Sequence, residues 1–112
     1  MLNVCIDVDL TLIDENGDLL PGAVESIQSF RDFPCRLTLW SAAGAEYARS
    51  VAARHKLEHF FEGFAGKPDL AIDDDPTSLV LKKLVLKDSA RTWDKVQAEA
   101  LAQLKNIEEE RE

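Results

Sequence analysis

Residues 2–8 read Leu-Asn-Val-Cys-Ile-Asp-Val, a short β-branched run with little polar alternation, the composition of a central strand covered on both faces of a sheet. Further apolar runs follow, separated by helical patterns. Residues 36–40, Arg-Leu-Thr-Leu-Trp, predict a second strand; residues 60–64 predict a short edge strand; and residues 70–72, Leu-Ala-Ile, predict another that ends in the turn Asp73-Asp74-Asp75-Pro76. Between them, Pro21 opens a helix with Ala23, Val24, Ile27 and Phe30 on one face, ending near residues 32–34. Residues 44–56, with Ala45, Ala48, Val51, Ala52 and His55 at helical spacing, predict a second helix. Asn16-Gly17, flanked by Leu12-Ile13 and Leu19-Leu20, predicts a small hairpin directly after the first strand. Residues 78–86 fit strand and helix equally, and Trp93, Val96, Ala100, Leu104 and Ile107 form a closing helical stripe before an acidic, frayed tail at 108–112.

Strands alternating with helices imply parallel pairing, because parallel neighbours need a crossover between them. The predicted fold is therefore α/β: a single Rossmann-like domain over residues 1–112, with a mostly parallel sheet, helices on both faces and a hairpin flap after the first strand. With 112 residues the chain should bury about two thirds of its unfolded surface in one core, which leaves no room for a second domain. An apolar content of 46% argues against disorder. The formal charge of −8 disfavours nucleic acid and anionic membrane as partners, although much of it sits in Asp7, Asp9, Asp73, Asp74, Asp75 and the tail, so nucleic acid stays open. No run approaches eighteen apolar residues and acids crowd the first fifteen positions, so a cytoplasmic location without membrane contact is expected. Cys5 and Cys35, with no CxxC spacing and no adjacent His, read as buried thiols.

In a parallel sheet, ligands bind outside the carboxyl ends of the strands. The residues predicted there are Asp7 and Asp9, Ser41, Lys67, and Asp73 with Asp74. Each has an ordinary explanation by itself: Asp-x-Asp is common, a lysine before proline is usually a solvated loop, and three aspartates before proline make an exposed turn. Together, each at the end of an apolar run, they point to one functional edge. His55 and His59 read as packing or surface residues, Trp40 as core with the border of the pocket as the alternative, and Trp93 as an anchor for the last helix. Asp14, Asn16, Asp18 and Glu25 mimic a calcium loop, but Leu19 stands where that loop needs Gly.

These residues resemble the motifs of the haloacid dehalogenase-like superfamily of phosphatases and phosphotransferases. Asp7-Val8-Asp9-Leu10-Thr11 is similar to its Asp-x-Asp-x-Thr motif, Ser41 to its second, Lys67 in Gly66-Lys67-Pro68 to its third, and Ile72-Asp73-Asp74 to its acidic fourth. The resemblance spans residues 1–76. It implies a magnesium-dependent phosphohydrolase in which Asp7 attacks phosphorus to form an aspartyl-phosphate and Asp9 protonates the leaving oxygen, then activates water. It also implies phosphate contacts from Asp7, Leu10, Thr11, Ser41, Ala42 and Lys67, and Mg²⁺ held by Asp7, Asp9, Asp74 and, through water, Asp73. Four ionised aspartates in one pocket would need such a cation, since like charges at ~4 Å repel by about 4 kcal/mol at an effective dielectric of 20.

Leu10 stands where the family most often has Gly, and the segment between Asp9 and Ser41 is too short to hold the cap domain many members carry. An open site suits a phosphorylated small molecule, an exposed phosphate on a macromolecule, or closure by a second copy of the chain. Asp9 argues against dehalogenation, whose enzymes generally lack the second acid. Phosphoryl transfer to an acceptor other than water, and a non-catalytic phosphate- or metal-binding regulatory module, are the competing readings.

Overall fold

The computed structural model describes residues 1–74, 84 and 92–110. Its elements are β1 (Leu2–Asp7), α1 (Ala23–Phe30), β2 (Cys35–Ser41), α2 (Ala45–Arg54), a 3₁₀ turn (Glu58–Phe60), β3 (Gly63–Gly66) and α3 (Asp94–Glu110). The three strands form one parallel sheet in the order β1-β2-β3, with Leu2 opposite Cys35, Asp7 opposite Trp40, and Ser41 opposite Gly66. The chain is thus a small α/β domain. The predicted segment 78–86 lies outside the described residues, apart from Leu84.

One face of the sheet carries Leu2, Val4 and Ile6 beside Cys35, Leu37 and Leu39, and the helices pack there. Ile27 and Phe30 of α1, Val51 and Ala52 of α2, and Val8 and Leu12 of the first loop join the same buried cluster. Strand order that never reverses explains this one-sidedness, because two right-handed crossovers advancing in one direction put both helices on one side. The other face shows Asn3, Cys5, Arg36, Thr38 and Trp40, each exposed or half-exposed. Helices on both faces were expected; among the described residues they occupy one. The same geometry corrects the reading of Cys5 as a buried thiol, since its odd position points it to the open face, where it is exposed; Cys35 is half-buried.

Three element boundaries also differ from expectation. The expected edge strand at 60–64 is present but begins three residues later: α2 ends in a Schellman motif, with Leu57 N–H bonded to Ala52 O at 2.8 Å and Lys56 N–H to Ala53 O at 3.1 Å, and a 3₁₀ turn follows. That turn claims residues 58–60 and delays the strand to Gly63–Gly66. Residues 70–72 form no strand at all, and Leu70 and Ile72 are 80% and 94% exposed. Only residues 67–69 separate them from β3, far short of the crossover a parallel strand requires. Finally, α3 continues through Glu110, where fraying from 108 was expected.

Where a hairpin was expected after β1, the chain makes a turn with two isolated bridges, Ile13 to Leu19 antiparallel and Asp9 to Ile13 parallel, and no paired strands. Asp14 Oδ1 accepts the N–H groups of Asn16 and Asp18 at 2.8 and 3.0 Å, so the oxygen that would start a calcium loop is used inside the turn. His55 anchors the turn, its Nε2 lying 2.9 Å from Gly17 O. His59 is exposed and stacks on Phe60.

Candidate active site

Parallel strands end on the same edge, so β1, β2 and β3 deliver Asp7, Ser41 and Lys67 to neighbouring positions. Lys67 Nζ lies 3.1 Å from Asp7 Oδ1. The chain beyond β1 coils about the Val8 carbonyl, which accepts the N–H groups of Thr11, Leu12 and Ile13 at 3.3, 2.9 and 3.2 Å. This turn brings Thr11 back over Asp7, where its hydroxyl donates to Oδ2 at 3.3 Å. Both oxygens of the Asp7 carboxylate are therefore gripped, one by a cation and one by a hydroxyl.

Leu10 occupies the left-handed region at φ 61°, and its N–H donates to Ile13 O at 2.8 Å. The positive φ gives a local reason why glycine suits this position. In this arrangement the Leu10 amide closes the loop and does not face the site as a phosphate donor. Asp9 is exposed one residue past buried Val8, and Tyr47 of α2 donates to its Oδ1 at 2.6 Å. That bond raises the Tyr47 hydroxyl pKa above its ordinary value, with desolvation and the Asp9 and Asp7 charges adding to the effect and Arg54 opposing it. Tyr47 therefore remains a donor at neutral pH.

Ser41 is buried, and its Oγ accepts the Ala43 N–H at 3.0 Å, leaving its own O–H to donate. Ala42, beside it, is exposed at the same strand end. The Ser41 carbonyl accepts Lys67 N–H at 2.9 Å and Gly44 N–H at 3.1 Å, tying the ends of β2 and β3 to the start of α2. Gly44 adopts φ 110°, and its Cα would lie 3.4 Å from a Cβ placed on Gly66, so the two glycines let α2 begin directly over the strand ends. Trp40 is half-buried on the open face with the Lys67 ammonium 5.8 Å from its ring centroid; it borders the site and is not a core residue.

Asp7, Asp9, Thr11, Ser41 and Lys67 thus sit on one edge, whereas Asp73 and Asp74 follow the exposed 70–72 segment and are both exposed. Among the described residues, no group of three or more His, Cys, Asp or Glu side chains is arranged to hold a metal ion.

Tyr47 escaped sequence reasoning because it lies off the apolar stripe of α2; the available signal was a polar aromatic in the first turn of a helix that starts at the strand-end edge. No helix among the described residues is long and apolar enough to cross a membrane. Comparison with models of known families, with curated proteins and with solved structures finds no match.

Proposed function

We propose that the chain is a phosphohydrolase of the haloacid dehalogenase-like kind, acting on a phosphate monoester through Asp7. The observation that carries this reading is the two-sided grip on the Asp7 carboxylate by Lys67 and Thr11 at the carboxyl edge of a parallel sheet. That setting suits a nucleophile, which must be oriented and its charge offset as a phosphate dianion approaches.

An Asp7 oxygen attacks phosphorus, the ester P–O bond breaks, and the leaving oxygen takes a proton from the Asp9 carboxyl. Asp9, now ionised, takes a proton from water as that water's oxygen attacks the aspartyl-phosphate. The P–O bond to Asp7 then breaks, releasing inorganic phosphate and restoring both carboxyl groups. Lys67 offsets charge at Asp7 throughout, and the Ser41 O–H and the Ala42 main chain stand at the edge where phosphoryl oxygens would lie.

In this reading residues 9–20 serve as a small flap, no cap domain lies over the site among the described residues, and the substrate is a phosphorylated small molecule or an exposed phosphate on a macromolecule. Magnesium enters this proposal only through the motif resemblance, with Asp73 and Asp74 as further ligands, and no step above depends on it. The test is hydrolysis of p-nitrophenyl phosphate by the parent and by Asp7→Asn. Turnover that falls to background in a variant with unchanged circular dichroism supports the reading. A parent that binds phosphate but turns over no ester in a broad panel would instead be a non-catalytic module.

A further inference from the structure

We infer that Tyr47 is the positioning residue for Asp9, fixing which of its carboxyl oxygens carries the proton in catalysis; this rests on the phosphohydrolase reading above. Asp9 follows buried Val8, just beyond the end of β1, and precedes Leu10 at φ 61°, so it stands on an exposed loop where a carboxyl group is free to turn about its side-chain bonds. A proton donor must stay within hydrogen-bond reach of the leaving oxygen, and a misplacement of about 1 Å can cost ~10²-fold in rate. The restraint on Asp9 comes from another element, the Tyr47 hydroxyl, 38 residues along the chain and 2.6 Å from Oδ1.

With Oδ1 engaged, Oδ2 is the oxygen left to hold and pass the proton. In the first step Oδ2 gives its proton to the leaving oxygen, and in the second it takes one from water. The Tyr47 proton stays on its own oxygen throughout, so the cycle balances without it. The placement of Tyr47 depends on the same contacts that place Lys67. The N-terminus of α2 is held at the strand ends by Gly44 N–H and Lys67 N–H, which both bond Ser41 O at 3.1 and 2.9 Å. Donor and nucleophile are thereby oriented from one structural unit.

The role predicts a dependence on leaving group. Alkyl phosphates need protonation of a strongly basic leaving oxygen, whereas p-nitrophenolate departs with little help. In Tyr47→Phe, which keeps the ring, kcat/KM should fall about 10- to 100-fold for an alkyl phosphate and less than about threefold for p-nitrophenyl phosphate. The retained aryl rate shows that the variant is folded. In an Asp9→Asn background, Tyr47→Phe should cause no further loss. Equal losses on both esters, or the same loss in the Asp9→Asn background, would overturn the Tyr47 role while leaving the phosphohydrolase reading in place. A parent inactive on both esters, or an Asp7→Asn variant as active as the parent, would overturn that reading and the Tyr47 role with it.

Discussion

The indole Nε1 of Trp93 donates a hydrogen bond to the main-chain carbonyl of Thr11 at 2.7 Å, across 82 positions of sequence. Trp93 precedes α3, is 3% exposed, and packs its ring against Phe30 at 6.3 Å between centroids. Its own N–H bonds Pro21 O at 2.9 Å. The C-terminal helix is therefore pinned to the loop whose Thr11 side chain holds Asp7. Trp93→Phe keeps most of the packing and removes the indole donor, which should cost about 1–2 kcal/mol and lower the melting temperature by several degrees. Trp93→Ala also opens a cavity and should cost about 3–5 kcal/mol. Thermal unfolding followed by circular dichroism measures both; equal melting temperatures for Trp93→Phe and the parent would show that the bond adds nothing.

Leu10 and Lys56 are the non-glycine residues at positive φ among those described, 61° and 60°. An L-side chain there costs about 1–2 kcal/mol, partly offset on mutation by the greater freedom of glycine in the unfolded chain, about 0.4–1 kcal/mol. Leu10→Gly and Lys56→Gly should therefore each raise the urea midpoint, by up to about 1 kcal/mol in stability. Leu10→Val, β-branched in the same conformation, should lower it. A midpoint that fell in both glycine variants would contradict the strained backbone.

Burial raises the thiols of Cys5 and Cys35 above the ordinary value of 9.0. Cys5 is exposed, yet the surroundings of its Sγ shield it enough to move it in the same direction as half-buried Cys35, which donates to Phe30 O at 3.1 Å. A raised pKa means that the folded chain keeps these protons when the unfolded chain has begun to lose them. The associated stability is complete below about pH 9 and is lost as pH rises through the folded values. Denaturation midpoints should be level up to that point, then decline, and the decline should be shallower in a Cys5→Ser/Cys35→Ala double variant. At neutral pH, iodoacetamide should modify Cys5 before Cys35, and slowly; a faster Cys35 would contradict the open face of β1.

With Asp9 holding its proton, the charges of Asp7 and Lys67 offset each other, so an arriving phosphate dianion meets an edge with no spare positive charge. A divalent cation arriving with the substrate would offset the dianion. Mg²⁺ alone should accordingly bind weakly by calorimetry, while EDTA should abolish ester turnover and excess Mg²⁺ restore it. Turnover indifferent to EDTA would remove the cation from the proposed reaction and leave the Asp7 chemistry standing.

The residues that meet at the strand-end edge were largely readable along the chain because the signals that place them are local in sequence. An apolar β-branched run names a strand, and in a parallel sheet the residue after each strand is delivered to a common edge; Asp7 and Ser41 follow from that rule, whereas Lys67 was expected on a connection and stands directly after β3. Thr11 is equally local, four residues from the carboxylate it holds. The run at 70–72 misled because composition alone cannot show whether a strand has enough connecting chain to reach a parallel position. The run at 60–64 misled because turn hydrogen bonds after α2 outcompeted the β preference of its aromatic residues.

What the sequence by itself determined is the alternation of strands and helices, and hence the parallel sheet and the edge at which its strands end, since periodicity and turn chemistry act over a few residues. Tertiary structure alone decided that Tyr47 restrains Asp9 and that Trp93 holds the Thr11 loop, contacts spanning 38 and 82 positions. It also decided which sheet face stays open, exposing Cys5 and bringing Trp40 to the border of the site. These contacts depend on the direction in which the crossovers wind and on where α2 and α3 come to rest, which is set by packing over the whole domain and leaves no short-range mark on the chain.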